Sequence, residues 1–290
     1  MNAQTFLRLG RVSNLPTVWS DTLAGAALAG ALPLDGRIVV LALAMTLAYT
    51  GGMFLNDAFD REIDSRERPE RPIPSGEVTA STVFAFGYAM LGAAVLLVAW
   101  CALGASGGGI TGVVAALALV AAIVLYDRWH KGNAASPVLM GLCRLLVYVT
   151  VAHALLAEPD PALYVGALAL LGYLIGLTYT AKQEGLGRVE NLWPLALLAL
   201  PLLWGVHAAT SAEPRVWLPT LLLALWLALM LRLVRRRAPG DLPRAVGGMI
   251  AGIALVDAIF LARAAGLALA ALAIAAFALT LALQRRVPGT

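Results

Sequence analysis

The sequence predicts an all-α, polytopic membrane helical bundle of nine to ten transmembrane helices, on three observations. Hydrophobic residues make up 60% of the 290 and charged residues only 13%, too few polar groups to cover a water-facing surface. Apolar stretches of roughly 17–25 residues recur along the chain, long enough to cross about 30 Å of hydrocarbon at a helical rise of about 1.5 Å per residue. Most of the 21 Lys and Arg residues gather at alternate ends of those stretches, as the spans of a polytopic protein require.

In chain order the candidate spans are 15–32, 37–58, 79–104, 109–126, 136–157, 161–181, 191–210, 216–234, 243–262 and 266–284. They use up the length, so residues 1–290 are expected to form one transmembrane domain joined by short Pro- and Gly-bearing links. The opening MNAQTFLRLGR has no apolar core or cleavage pattern, so no removable signal peptide is expected. Cys101 and Cys143 lie in apolar segments without metal-ligand partners at useful spacing and read as small buried hydrophobes. His153 and His207 fall near the outer span ends as interfacial residues. Trp100, Trp193, Trp204 and Trp217 read as aromatic-belt anchors.

With the N-terminus in the cytoplasm, most basic residues fall on the cytoplasmic side, which sets both termini inside an inner membrane. The formal charge of +4 is explained by that bias, and nucleic acid is not expected as a partner. The run Arg235–Arg237 is expected to anchor beside anionic lipid.

Directly after the second apolar run the chain reads Asn56-Asp57-Ala58-Phe59-Asp60-Arg61-Glu62-Ile63-Asp64. On a helix, Asn56, Asp60 and Asp64 follow one another turn by turn, and Asp57 returns to the side of Asp64 seven residues on. Like charges so close repel unless something positive compensates them. Mg²⁺ shared with a diphosphate would do so through hard oxygen ligands; so would a solvated helix end salt-bridged by Arg61 and Arg66. Spacing alone leaves both open.

The following loop, Arg66 through Gly76, carries Arg71-Pro72-Ile73-Pro74-Ser75-Gly76. Asn-Asp-x-x-Asp-x-x-x-Asp followed by Arg-Pro-x-Pro-Ser-Gly resembles the first aspartate-rich motif and adjoining loop of the UbiA superfamily of intramembrane prenyltransferases. The resemblance implies a UbiA-like bundle around a cytoplasm-facing cavity. There Asn56, Asp57, Asp60 and Asp64 would hold Mg²⁺ on an isoprenyl diphosphate, with Arg71 beside it.

Arg11 through Thr17 looks like the Arg-x-x-x-x-Pro start of the family's first helix, whose Arg often faces the acceptor; by itself Arg11 could equally be a cytoplasmic anchor. Tyr126-Asp127-Arg128-Trp129-His130-Lys131 occupies the place where the family has a Tyr and, four residues later, a Lys contacting diphosphate. Here that spacing lands on His130, with Lys131 next, so Tyr126, His130 and Lys131 are all candidate substrate contacts. With Ser136-Pro137 and the Met140–Tyr148 stretch, this segment is similar to the EboC-like branch.

A departure lies at residues 179–191, where the family's second aspartate-rich motif is expected and no Asp-x-x-x-Asp occurs. Glu184, or less readily Glu190, could turn inward around Gly185 and Gly187 as a second-site ligand or base. Lys182 is counted with the substrate-binding cations. Arg144 is costly in lipid and must face a partner: Asp21, Asp257, the acceptor or the diphosphate.

The activity implied is Mg²⁺-dependent transfer of a polyisoprenyl group to a small aromatic or polyhydroxylated cyclic acceptor. Asp60, Glu184, Lys131 and Arg144 are the candidate catalytic residues, and the bilayer is a partner. A membrane transporter or flippase, or terpene cyclisation on the same fold, is the alternative. The tenth span should be peripheral to a site built from the first six.

Overall fold

The computed structural model describes residues 1–182, 193–211, 213–287 and 289, and among these no strand occurs. A short helix, α1 (Ala3–Leu9), is capped by Asn2, whose side chain accepts from the Thr5 amide at 2.8 Å. A 3₁₀ turn at Val12–Asn14 leads into α2 (Leu15–Leu28). Then follow α3 (Arg37–Glu67), α4 (Ala80–Leu103), α5 (Ile110–Trp129), α6 (Ser136–Leu155) and α7 (Ala162–Lys182). A 3₁₀ segment (Trp193–Ala199) runs into α8 (Leu200–Thr210), and α9 (Trp217–Arg236), α10 (Asp241–Ala264) and α11 (Leu267–Gln284) complete the bundle. Among the described residues nine segments are long and apolar enough to cross a membrane; the chain is an integral, multi-pass membrane protein.

Proline opens several of these helices. Pro16, Pro137 and Pro201 sit in the first turns of α2, α6 and α8, where a missing N–H costs nothing. The expected 191–210 span is therefore not one α-helix: its described part begins as 3₁₀ and becomes α-helical only at Leu200. Without an N–H, Pro201 cannot donate back to Leu197, which breaks the α ladder at that joint.

The first expected span, 15–32, ends early at Leu28, before Gly30 turns the chain at φ +83°. Fourteen residues reach only about 21 Å, short of the hydrocarbon thickness. The shortfall is tolerable because α2 is enclosed by α3, α6, α10 and α11 rather than by lipid. Its Gly25 makes the enclosure tight: a Cβ there would lie 2.9 Å from the Tyr148 Cα of α6, so the two backbones touch.

The centre of the bundle is α10, whose run from Ala251 to Ala262 is buried throughout. By contrast, α11 packs on α10 and α2 and is otherwise largely uncovered by protein. It is not wholly remote from the cavity, since Gln284 Nε2 donates to Asn14 Oδ1 at 3.0 Å and Gly289 lines the cavity wall. Two further expectations shift. Cys101 is buried, but Cys143 is only half-buried and lines the cavity. Trp204 packs edge-on against Phe260 with ring centroids 4.8 Å apart, beneath the Arg263 guanidinium.

The 31 residues of α3 extend about 46 Å, well beyond a hydrocarbon core of about 30 Å. Its apolar part up to Leu55 is by itself about long enough to span that core, and the remaining turns are polar and carry the acidic side chains.

Candidate active site

A cavity of about 300 Å³ opens among α2, α3, α5, α6, α7 and α10. Much of its wall is apolar, lined by Met45, Leu119, Ile123, Val147, Leu177 and Ile253, with Tyr49, Arg144 and Thr178 among them. Its mouth is polar: Asn56 and Asp60 from α3, Asp127 from α5, and the cations Arg68, Arg71 and Lys131. Arg11, Tyr126 and His130 line the same mouth.

The close pairing of α3 with α5 builds the floor of this mouth. A Cβ on Gly52 would stand 2.9 Å from Ile123 Cγ2, so glycine allows the helices to approach. One turn further along both helices, the Asn56 Nδ2 donates to Asp127 Oδ1 at 3.3 Å. On α5 the cavity-lining positions are 119, 123, 126, 127 and 130, the spacing of one helical face. Tyr126 stacks on His130 with centroids 4.9 Å apart.

The acidic residues of α3 divide into two sets. Asn56 and Asp60 line the cavity, whereas Asp57 and Asp64 do not. Arg71 Nη1 contacts Asp64 Oδ2 at 2.7 Å and Asp57 Oδ1 at 3.3 Å, and Arg11 Nη2 contacts Asp57 Oδ1 at 3.1 Å. At about 100° per residue, Asp57 and Asp64 stand within about 20° of each other but some 80–100° around the helix from Asn56. Asp60, between the two sets, turns to the cavity, where its Oδ2 meets His130 Nε2 and Lys131 Nζ, each at 3.4 Å.

Arg11 holds a left-handed backbone, φ +43° and ψ +48°, which costs a non-glycine residue about 1–2 kcal/mol. Conformations of this kind persist where surrounding contacts fix them. Here the guanidinium donates to Asn56 Oδ1 at 3.3 Å as well as to Asp57. Burial works against its charge, but Asp57, with smaller contributions from Tyr49, Tyr126 and Asp127, holds its pKa above the usual arginine value.

At the inner part of the cavity, Arg144 is ion-paired with buried Asp21 and donates to Thr17 Oγ1 at 3.2 Å. Its guanidinium also lies 5.5 Å from the centre of the Tyr49 ring. Asp257 is not its ion partner: Ser20 Oγ donates to Asp257 Oδ2 at 2.5 Å, and the Tyr148 hydroxyl donates to Oδ1. Arg144 therefore has its structural partner in Asp21 and still lines the cavity.

Lys182 lies away from the cavity lining. Its Nζ donates to the Asn133 carbonyl at 2.6 Å and to Ser136 Oγ at 3.0 Å, tying the end of α7 to the start of α6. Glu184 and Glu190 lie outside the described residues. Among the cavity residues that the sequence does not single out are two polar ones on α5 and α7. Asp127 is buried with its Oδ2 unpartnered, and Thr178 of α7 is buried with its hydroxyl unpartnered. The helical face shared with Tyr126 and His130 was a signal for Asp127; Thr178 had none.

Residues 18–246 match the UbiA prenyltransferase family. The chain is 29% identical over 215 residues to the digeranylgeranylglyceryl phosphate synthase of Methanopyrus kandleri, covering 71% of this chain and 72% of that one. Its fold is similar to the apo structure of a UbiA homolog from Aeropyrum pernix, with a TM-score of 0.68 at 15% identity, over 87% of this chain and 96% of the other. It is also similar to a UbiA homolog from Archaeoglobus fulgidus bound to GPP and Mg²⁺, with a TM-score of 0.55 at 14% identity, over 94% and 99% of the two chains.

Proposed function

Because the chain belongs to the UbiA prenyltransferase family, we propose that it transfers a polyisoprenyl group from a Mg²⁺-held isoprenyl diphosphate to a small hydroxylated acceptor, aromatic or polyhydroxylated and cyclic. The observation that carries this reading is a single cavity that joins oxygen donors and cations at its mouth to a long apolar wall. A lipid tail with a diphosphate head has the same polarity profile. The fold neighbour bound to GPP and Mg²⁺ supports it.

The residues present suit a hard divalent cation. Among the described residues no three carboxylate, His or Cys side chains close a metal cage, but Mg²⁺ keeps waters and phosphate oxygens and needs only one or two carboxylates. Asn56 and Asp60 line the cavity together, and so does Asp127, whose Oδ2 is unpartnered. We assign Asn56 and Asp60 as ligands, with Asp57 and Asp64 holding Arg71 and Arg11 behind them. Bound there, Mg²⁺ supplies Lewis-acid neutralisation of the diphosphate.

Arg68, Arg71 and Lys131 line the mouth where charge grows on the departing diphosphate, and His130 can donate a hydrogen bond there. The apolar wall of Leu119, Ile123 and Val147 keeps water from the allylic cation left behind. Arg144, fixed by Asp21, and the free Thr178 hydroxyl orient the acceptor from the inner side. Glu184 takes its proton. The positive-inside rule sets the mouth at the cytoplasmic face.

Radiolabelled isoprenyl diphosphate, offered to the purified protein in lipid nanodiscs, tests this reading. Label should move to an acceptor only with Mg²⁺, and Asp60→Ala should lower turnover about a hundredfold or more, since several kcal/mol of charge stabilisation is lost. Full activity in Asp60→Ala removes the assignment, and a cyclised product formed without any acceptor replaces transfer by cyclisation.

A further inference from the structure

Four carboxylates surround the mouth, and three of them touch a cation. Asp57 meets Arg11 and Arg71, Asp64 meets Arg71, and Asp60 meets His130 and Lys131. Asp127 is 3% exposed and, among the described residues, touches no cation. Its one side-chain partner is the neutral amide of Asn56, on Oδ1, and its Oδ2 is buried without any partner. A buried charge left this way is costly unless something positive arrives.

Its surroundings indicate what arrives. Asp127 lines the cavity beside Asn56 and Asp60, and α5 holds it there by the Gly52–Ile123 approach one turn away. Its nearest cations already have carboxylate partners, Arg11 being engaged by Asp57 and Asn56, and Lys131 by Asp60. We propose that Asp127 is a further oxygen ligand of the divalent cation, completing with Asn56 and Asp60 a donor set contributed by both α3 and α5. This rests on the proposed Mg²⁺ site and adds to it a ligand outside the α3 motif.

The test uses the full chain in nanodiscs, with Mn²⁺ plus inorganic diphosphate as probe and electron paramagnetic resonance to count bound Mn²⁺. Asp127→Asn keeps the shape and an acceptor for Asn56 while removing the charge. It should weaken Mn²⁺ binding at least about tenfold, the scale on which a ligand's contribution to affinity is felt. In EDTA, the same variant should melt at or above the wild-type temperature, because a lone buried charge is gone. Its stabilisation by Mg²⁺ and diphosphate should shrink correspondingly; a purely structural role would not produce that pattern. Should Asp127→Asn fail to fold, Asp127→Ser is measured in its place.

Asp60→Asn separates this inference from the reading beneath it. If Asp60→Asn weakens Mn²⁺ binding and Asp127→Asn stays within twofold of wild type, Asp127 is no ligand and the proposed function stands. If neither variant changes binding, the metal assignment falls and this inference with it.

Discussion

An Arg cannot shed its proton in a protein, and one placed mid-helix in lipid costs about 2.5–3.5 kcal/mol on insertion scales, so the Arg144–Asp21 pair must hold wherever α2 and α6 meet. Removing one partner leaves a buried charge, and Arg144→Met should cost about 3–5 kcal/mol of stability, read as a lower melting temperature in detergent. The double variant Asp21→Leu/Arg144→Met should recover much of that loss without recovering prenyl transfer; recovered transfer would leave Arg144 a structural role alone. The sequence made Arg144 conspicuous because a charge inside an apolar run is conspicuous, and it named Asp21 among the possible partners. It did not separate Asp57 and Asp64 from Asn56 and Asp60. Their division depends on a drift of some tens of degrees per turn and on where the Arg71 loop folds back, and residue spacing carries only the first of these. Asp127 is less legible, since one carboxylate among Arg128, His130 and Lys131 reads as an ordinary charged helix end until α5 is seen to carry it on the cavity face.

Helices here are set by what they pack against more than by their own length. Apolar runs gave the spans of α3 to α7 and α9 to α11 within a few residues, except where α3 continues past lipid to Glu67. That extension was hidden from hydropathy because its last turns are polar. Enclosure, the reason α2 can be 14 residues long, is a tertiary fact and left no mark in the α2 sequence beyond its small residues. Gly25→Val tests that enclosure. Its side chain would drive into the Tyr148 backbone, so a loss of about 1–3 kcal/mol is expected and should be visible as a lowered melting temperature. Unchanged melting would mean α2 and α6 are free to separate. The change from 3₁₀ to α-helix at Leu200–Pro201 is the converse case, readable in principle from the sequence once proline is counted against the span.

Across the whole molecule, polarity is arranged along one axis, with basic side chains, acidic helix end and cavity mouth at the same end of the bundle. The orientation proposed from the positive-inside bias puts that end in the cytoplasm. In a background lacking Cys101 and Cys143, an impermeant maleimide added to intact cells should label Glu158→Cys, at the opposite end, and spare Glu62→Cys; the reverse pattern would invert the orientation. In the proposed chemistry, a head held at the mouth sends its tail along the apolar wall of the cavity. Equilibrium binding of an unreactive isoprenyl thiolodiphosphate to the purified protein measures this most directly. Saturable binding in Mg²⁺ that is lost in EDTA and in Asp60→Ala, with melting unchanged, is the predicted result. Binding that ignores both Mg²⁺ and Asp60 would contradict the account.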